Sequence, residues 1–174
     1  MKRIKFLPVL LLLSVFFVAC DPQSQEKEWK KLYGYTTEDI AGTYAFSNIA
    51  SAFDGLTEGK YCHICEDAQI TITASSGNTI EFRLNCPNES LNRLFEGRPR
   101  VTDDDFLINM KAPASSTYPD YELTVYVYEN DEGDIRLHGF ARYIVYELVY
   151  NPVTEENDHI VKSKTNYYFD VIKN

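Results

Sequence analysis

From Thr43 onward the chain is written largely in period two. Ile70-Thr71-Ile72-Thr73 and Ile80-Glu81-Phe82-Arg83-Leu84 alternate apolar and polar residues, so each turns one face to a core and the other to water. The same pattern predicts strands over 69–74, 79–85, 121–130, 134–150 and 160–172, with weaker signals over 43–49 and 106–111. No helical window long enough for a bundle is present. Thr37-Glu38-Asp39-Ile40 reads as one short helical turn, since a capping residue precedes two acids. Residues 28–33 are compatible with another turn, and 21–27 read as a flexible tether.

Two hairpins follow from turn chemistry. Ser75-Ser76-Gly77 and Asp131-Glu132-Gly133 are three-residue loops ending in Gly, the residue that enters the left-handed region without a Cβ penalty. In the first, Ala74 is expected to face Asn78, Ile72 to face Ile80, and Ile70 to face Phe82. In the second, Asn130 should face Asp134, Val127 face Leu137, and Glu122 face Arg142, so that apolar residues meet and opposite charges meet. The odd-numbered face, with Leu123, Val125, Val127 and Leu137, is the more purely apolar and should point to the core. Residues 143–150 are apolar on both faces, so that stretch should bend or be covered on both sides. Consecutive antiparallel strands with tight turns predict an all-β, up-and-down meander closed into a barrel of about eight strands, with a β-sandwich as the alternative.

The first twenty residues carry a different message. Lys2, Arg3 and Lys5 precede an apolar run from Phe6 to Ala19, and Cys20 follows. This resembles a bacterial lipoprotein signal with Phe17-Val18-Ala19-Cys20 as the lipobox. The resemblance implies removal of 1–19, lipid on Cys20, a tether over 20–36 and a β domain over 37–174. It places the protein in the bacterial cell envelope, on the periplasmic or surface face of the outer membrane, with the membrane as a partner through that lipid. An ordinary cleaved signal is the other reading. As a helix the apolar run spans only about 21 Å, short of a hydrocarbon core of about 30 Å. Within the domain, Ile40-Ala41-Gly42-Thr43-Tyr44 is similar to the Gly-x-Trp opening of the first lipocalin strand, with Tyr44 in place of Trp. The whole plan resembles the lipocalin-like (calycin-like) bacterial lipoproteins. That likeness implies a barrel that holds a small apolar or amphipathic ligand.

The net charge of −9 argues against nucleic acid and against charge-driven binding to anionic lipid. Thirteen Tyr and ten Phe suit a sheet, and Tyr suits binding surfaces. Cys62-His63-Ile64-Cys65 together with Cys86 has the residue types for a zinc or redox site, but in an oxidising compartment a structural disulfide is the simpler reading. The hairpin register favours Cys65–Cys86, with Cys62–Cys86 close behind. Asp103-Asp104-Asp105 and Asp131-Glu132-Gly133-Asp134 lack the alternating spacing of a calcium loop and read as solvated turns. The three His residues, His63, His138 and His159, sit in no recognisable catalytic motif. No enzyme, cofactor or metal is expected. Two functions remain at this level. One is burial of a small ligand inside the barrel. The other is a filled barrel that binds an envelope protein or glycan through an outer face made by Tyr126, His138 and Phe140.

Overall fold

A computed structural model describes residues 28–32, 34–46, 60–101 and 107–174. The signal-like segment, the proposed lipidation position Cys20 and the Asp103–Asp105 cluster lie outside the described residues. Strands dominate: β1 (Lys30–Lys31), β2 (Gly42–Phe46), β3 (Cys62–Ile64), β4 (Gln69–Ser75), β5 (Thr79–Cys86), β6 (Leu91–Gly97), β7 (Arg100–Val101), β8 (Leu107–Ala112), β9 (Tyr121–Glu129), β10 (Ile135–Asn151) and β11 (Glu156–Lys173). The one α-helical turn among the described residues, α1 (Thr37–Ile40), is capped by Thr36, which accepts from the Asp39 N–H while Asp39 accepts from the Thr36 N–H. The Thr36 N–H and hydroxyl both donate to the Asp39 carboxylate and hold it below its usual range.

The strands form one sheet in the order β6-β5-β4-β2-β11-β10-β9-β8-β7, with β1 added on β9 and β3 on β11. This corrects both expected architectures. The pairing makes a single sheet, so the sandwich alternative falls. The ladder also ends at β6 on one side and β7 on the other, so the sheet is open and the expected lipocalin-like barrel of about eight strands is not formed. The physical reason lies at the two ends. The short β7 takes the edge of β8 at Asn109 and Ile108, and β1 takes the edge of β9 at Glu129 and Tyr128. What links the β6 side to the β9 side is side-chain contact: the Arg93 guanidinium lies 4.4 Å from the Tyr121 ring centroid and donates to its hydroxyl at 3.3 Å.

The sheet curls enough for both arms to share one core. Ile70, Ile72, Ile80, Phe82, Leu84 and Phe95 from one side meet Ile108, Leu123, Val125, Val127 and Leu137 from the other. Phe82 packs 6.3 Å from Phe169 and 6.4 Å, edge-on, from Phe95. Tyr44 is fully buried, and its hydroxyl donates to the Ile40 carbonyl at 2.6 Å. Burial pushes the Tyr44 phenol well above its ordinary range. The position that suggested a lipocalin opening is thus a core tyrosine that ties β2 to α1.

The β9–β10 hairpin has the expected register, with Val127 opposite Leu137, Gly139 opposite Val125 and Arg142 opposite Glu122. The β4–β5 hairpin does not. Its loop is Ser76-Gly77-Asn78, closed by Ser75 opposite Thr79, which places Ile72 against Phe82 and Ile70 against Leu84. Gly77 and Asn78 both adopt positive φ (76° and 58°), because Asn tolerates that region nearly as Gly does. The shift is two residues, so every side chain keeps its expected face.

Gly139 marks the closest backbone approach in the sheet. A Cβ there would stand 2.2 Å from the Thr124 carbonyl oxygen and 2.8 Å from the Val125 Cα. Gly139→Ala is expected to lower stability by about 3 kcal/mol through overpacking, while Gly133→Ala, strained in φ but in open space, costs about 1 kcal/mol. Urea denaturation of the two variants checks the order; equal midpoints would contradict it.

Candidate functional site

Two regions of the β9–β10–β11 surface stand out. The first contains the residues singled out from sequence. Tyr126 lies opposite His138 in the ladder, and Phe140 lies opposite Thr124. All three sit on the outer face, yet each is engaged by its own neighbours. Lys31 Nζ lies 5.4 Å from the Tyr126 ring centroid. Phe140 packs 5.3 Å from Tyr168 and carries the Arg142 guanidinium at 5.1 Å. His138 Nδ1 lies 3.1 Å from Asp170 Oδ2.

Asp170 is the residue sequence reasoning missed. It faces outward from β11 yet is only 1% exposed. Its carboxylate takes both arms of Arg136, the Nε at 2.8 Å and Nη2 beside it, in the bidentate geometry that suits guanidinium and carboxylate. Arg136 in turn lies between Trp29, at 5.6 Å, and Tyr128, at 5.9 Å. The signal was present: an acid within the apolar run Tyr167-Tyr168-Phe169-Asp170-Val171 has to be paired if it is buried. This cluster clamps the N-terminal segment onto the sheet. Trp29 covers Arg136, the Leu32 N–H donates to the Val127 carbonyl at 3.0 Å, and Lys30 reaches Asp131 at 3.1 Å.

The cysteines lie apart from this face. Cys65 and Cys86 form a disulfide that ties the chain just after β3 to the end of β5. The corrected β4–β5 register, not the expected one, sets the position of Cys86. His63 pairs with Glu89 at 2.9 Å and stacks on Tyr167 at 5.3 Å. Among the described residues no group of His, Cys, Asp and Glu side chains is arranged to hold a metal ion. The Asp131–Asp134 cluster is a turn built around Asn130, whose Oδ1 accepts from the Glu132 and Asp134 N–H groups.

The second region is the far end of the β10–β11 hairpin. β10 leaves β9 at Tyr143, and the Ile144 N–H makes a last bond to the Asp120 carbonyl. Beyond it, among the described residues, β10 and β11 pair only with each other, out to Asn151 opposite Glu156. Seven residues at about 3.4 Å each make an arm about 24 Å long. A four-residue turn closes it. Asn151 holds that turn, donating to Asp158 at 2.8 Å and accepting from the Val153 N–H at 3.0 Å. At the base, Tyr118 stacks 4.0 Å from His159 and meets Tyr146 edge-on at 5.5 Å. Burial, with Glu122 and Asp120 nearby, raises the Tyr146 phenol above its ordinary range. Further out Leu148 is 59% exposed, Tyr150 60% and Val153 89%. The expectation that 143–150 is bent or covered on both sides is met only at its start. A register shift falls between Val145 and Tyr146, and the rest stands in the open among the described residues.

Open surface grooves replace the expected ligand chamber. One of about 640 Å³ runs along Glu96, Arg98, Met110, Lys111 and Glu122 where the two ends of the sheet approach. Another of about 430 Å³ lies beside Tyr35, whose buried hydroxyl has no hydrogen-bond partner and whose phenol is pushed up to about 12 by burial. The centre is filled by Tyr44, Phe82, Phe95 and Phe169. Binding of a small apolar ligand inside a barrel is therefore overturned, because there is no closed barrel and the interior is packed. The rival's filled barrel falls with the barrel; of its proposed face, Tyr126 and His138 adjoin the clamp through Lys31 and Asp170, and Phe140 packs on Tyr168 and Arg142. The chain matches no protein-family model, no curated protein and no solved structure, so the lipocalin likeness gains no support there either.

Replacing Asp170 by Ala is expected to lower stability by about 3 kcal/mol or more, because the Arg136 charge stays buried without its carboxylate. The same change should unfasten the N-terminal segment, read as loss of Trp29 fluorescence contrast before global unfolding. Retention of both stability and the Trp29 signal would contradict the clamp.

Proposed function

We infer that the chain is a non-catalytic assembly module of the cell envelope, tethered at one pole and reaching a protein partner with the β10–β11 arm at the other. One observation carries this reading: a well-built two-stranded arm exposes Leu148, Val149, Tyr150, Ile160 and Val161 with no third strand beside its outer part among the described residues. An isolated hairpin is marginal in water, and exposed apolar side chains on both faces of such an arm, Leu148 and Tyr150 on one and Val149 and Ile160 on the other, mark an interaction site. The firm turn at Asn151 argues that the arm is a formed element and not a loose loop.

The direction of the arm supports the same reading. The N-terminal segment joins the sheet at Val127, opposite Leu137 near the start of β10. Fourteen residues further along β10, about 46 Å at 3.3 Å per residue, the strand ends at Asn151.

A photo-crosslinking residue placed at Leu148 in producing cells should give a discrete protein adduct. The same residue at Glu81, exposed on β4's neighbour β5, should give none. Replacing 146–162 with a two-residue Asn-Gly turn, which keeps Val145 opposite Ser163, should abolish partner association and leave the melting temperature of the domain nearly unchanged. Absence of any adduct at Leu148, Tyr150 and Ile160 would overturn the reading.

A further inference from the structure

The arm has two edges, and they differ. Along β11 the outer stretch carries Asp158, Lys162 and Lys164, the kind of charges that guard an edge against pairing, and β3 runs beside its inner part at 166–168. Along β10 the edge that no strand covers among the described residues reads Val145-Tyr146-Glu147-Leu148-Val149-Tyr150, with five apolar or aromatic residues, one acid and neither Pro nor Lys. That single acid lies 3.8 Å from Lys162 across the hairpin. The edge is therefore close to neutral in a chain whose net charge is −9.

We propose that a second copy of this chain occupies that edge, the two β10 strands pairing antiparallel about a two-fold axis through Leu148. This rests on the reading of the arm as an interaction element and names its partner. A two-fold axis perpendicular to the sheet must pass through a residue position, because paired side chains share a face. An axis through Glu147 sets the two carboxylates opposite one another, which is repulsive. An axis through Val149 leaves Tyr146 opposite Pro152, outside the strand, and shortens the ladder. The axis through Leu148 sets Leu148 against itself, Tyr146 against Tyr150, and Glu147 against Val149. It uses the whole free edge from Val145 to Asn151. Aromatic and aliphatic cross-strand pairs of this kind are favourable.

The geometry also permits the contact and limits it. The partner's domain begins at its own Ile144, which in this register lies opposite the turn at Pro152, so the two bodies sit at opposite ends of a four-stranded arm. The pairing is isologous and closes on itself. The guarded β11 edges then stop growth at the dimer.

Sedimentation velocity of the full-length protein over a concentration series should show a monomer–dimer equilibrium. Leu148→Lys, which opposes two charges at the axis, should weaken the dimer about tenfold or more with an unchanged circular dichroism spectrum. In a background carrying Cys20→Ser and Cys62→Ser, Leu148→Cys should form a disulfide-linked dimer on mild oxidation, and Val153→Cys at the exposed tip should not. A monomer at every concentration, or equal cross-linking at the two positions, overturns the second copy. If Leu148 still yields an adduct with another protein in cells, the arm remains an interaction element and only its partner is wrong. If it yields none, both readings fall.

Discussion

Every backbone N–H and C=O of a strand needs a partner, and β10 meets that need in two ways along its length. From Ile135 to Tyr143 it lies between β9 and β11, the middle of the sheet. From Val145 onward its only strand neighbour among the described residues is β11. The first half fixes the domain. It carries Leu137 and Ala141 into the core, brings Gly139 against the β9 backbone, and turns Arg136 and His138 toward Asp170. The second half carries the same rigid ladder out of the domain. Because both halves are one strand, whatever holds the arm is coupled directly to the core.

The outer face shows how a polar cluster can organise a surface. Asp170 pairs with Arg136 and His138, Arg136 lies against Trp29 and Tyr128, and Lys31 lies over Tyr126, contacts that lay the N-terminal segment across the sheet. A buried ion pair of this kind adds little net stability over apolar packing, but removing one partner is costly. Its consequence is positional. It fixes where the chain enters the domain, and thereby sets the pole opposite the arm.

Much of this was legible in the residues, and the exceptions have causes. The β9–β10 register was readable because its loop offers one residue, Gly133, suited to positive φ. In the β4–β5 loop two adjacent residues, Gly77 and Asn78, both take that conformation, and the turn moved on accordingly. The strands at Leu91–Gly97 and Cys62–Ile64 were missed: the first begins Leu-Asn-Arg-Leu without alternation, and the second is only three residues long. Closure was not legible at all. Period two says which face is inside, not whether the two outermost strands bond, and here β7 and β1 occupy the edges that a barrel would have used. The arm was misread because a stretch apolar on both faces reads as buried. Asp170 was hidden because its partners lie 32 and 34 residues away along the chain.

The account turns on one claim, that the outer half of β10, which has no strand on its second edge among the described residues, finds a partner in another molecule. Amide hydrogen exchange along β10, followed as protein concentration is raised, tests this most directly. The amides of Leu137–Tyr143 should be strongly protected at every concentration. Between Val145 and Asn151 the inward amides should be moderately protected throughout, and the outward ones should gain protection only as concentration rises. Full protection of the outward amides in dilute protein, or none at any concentration, would contradict the account.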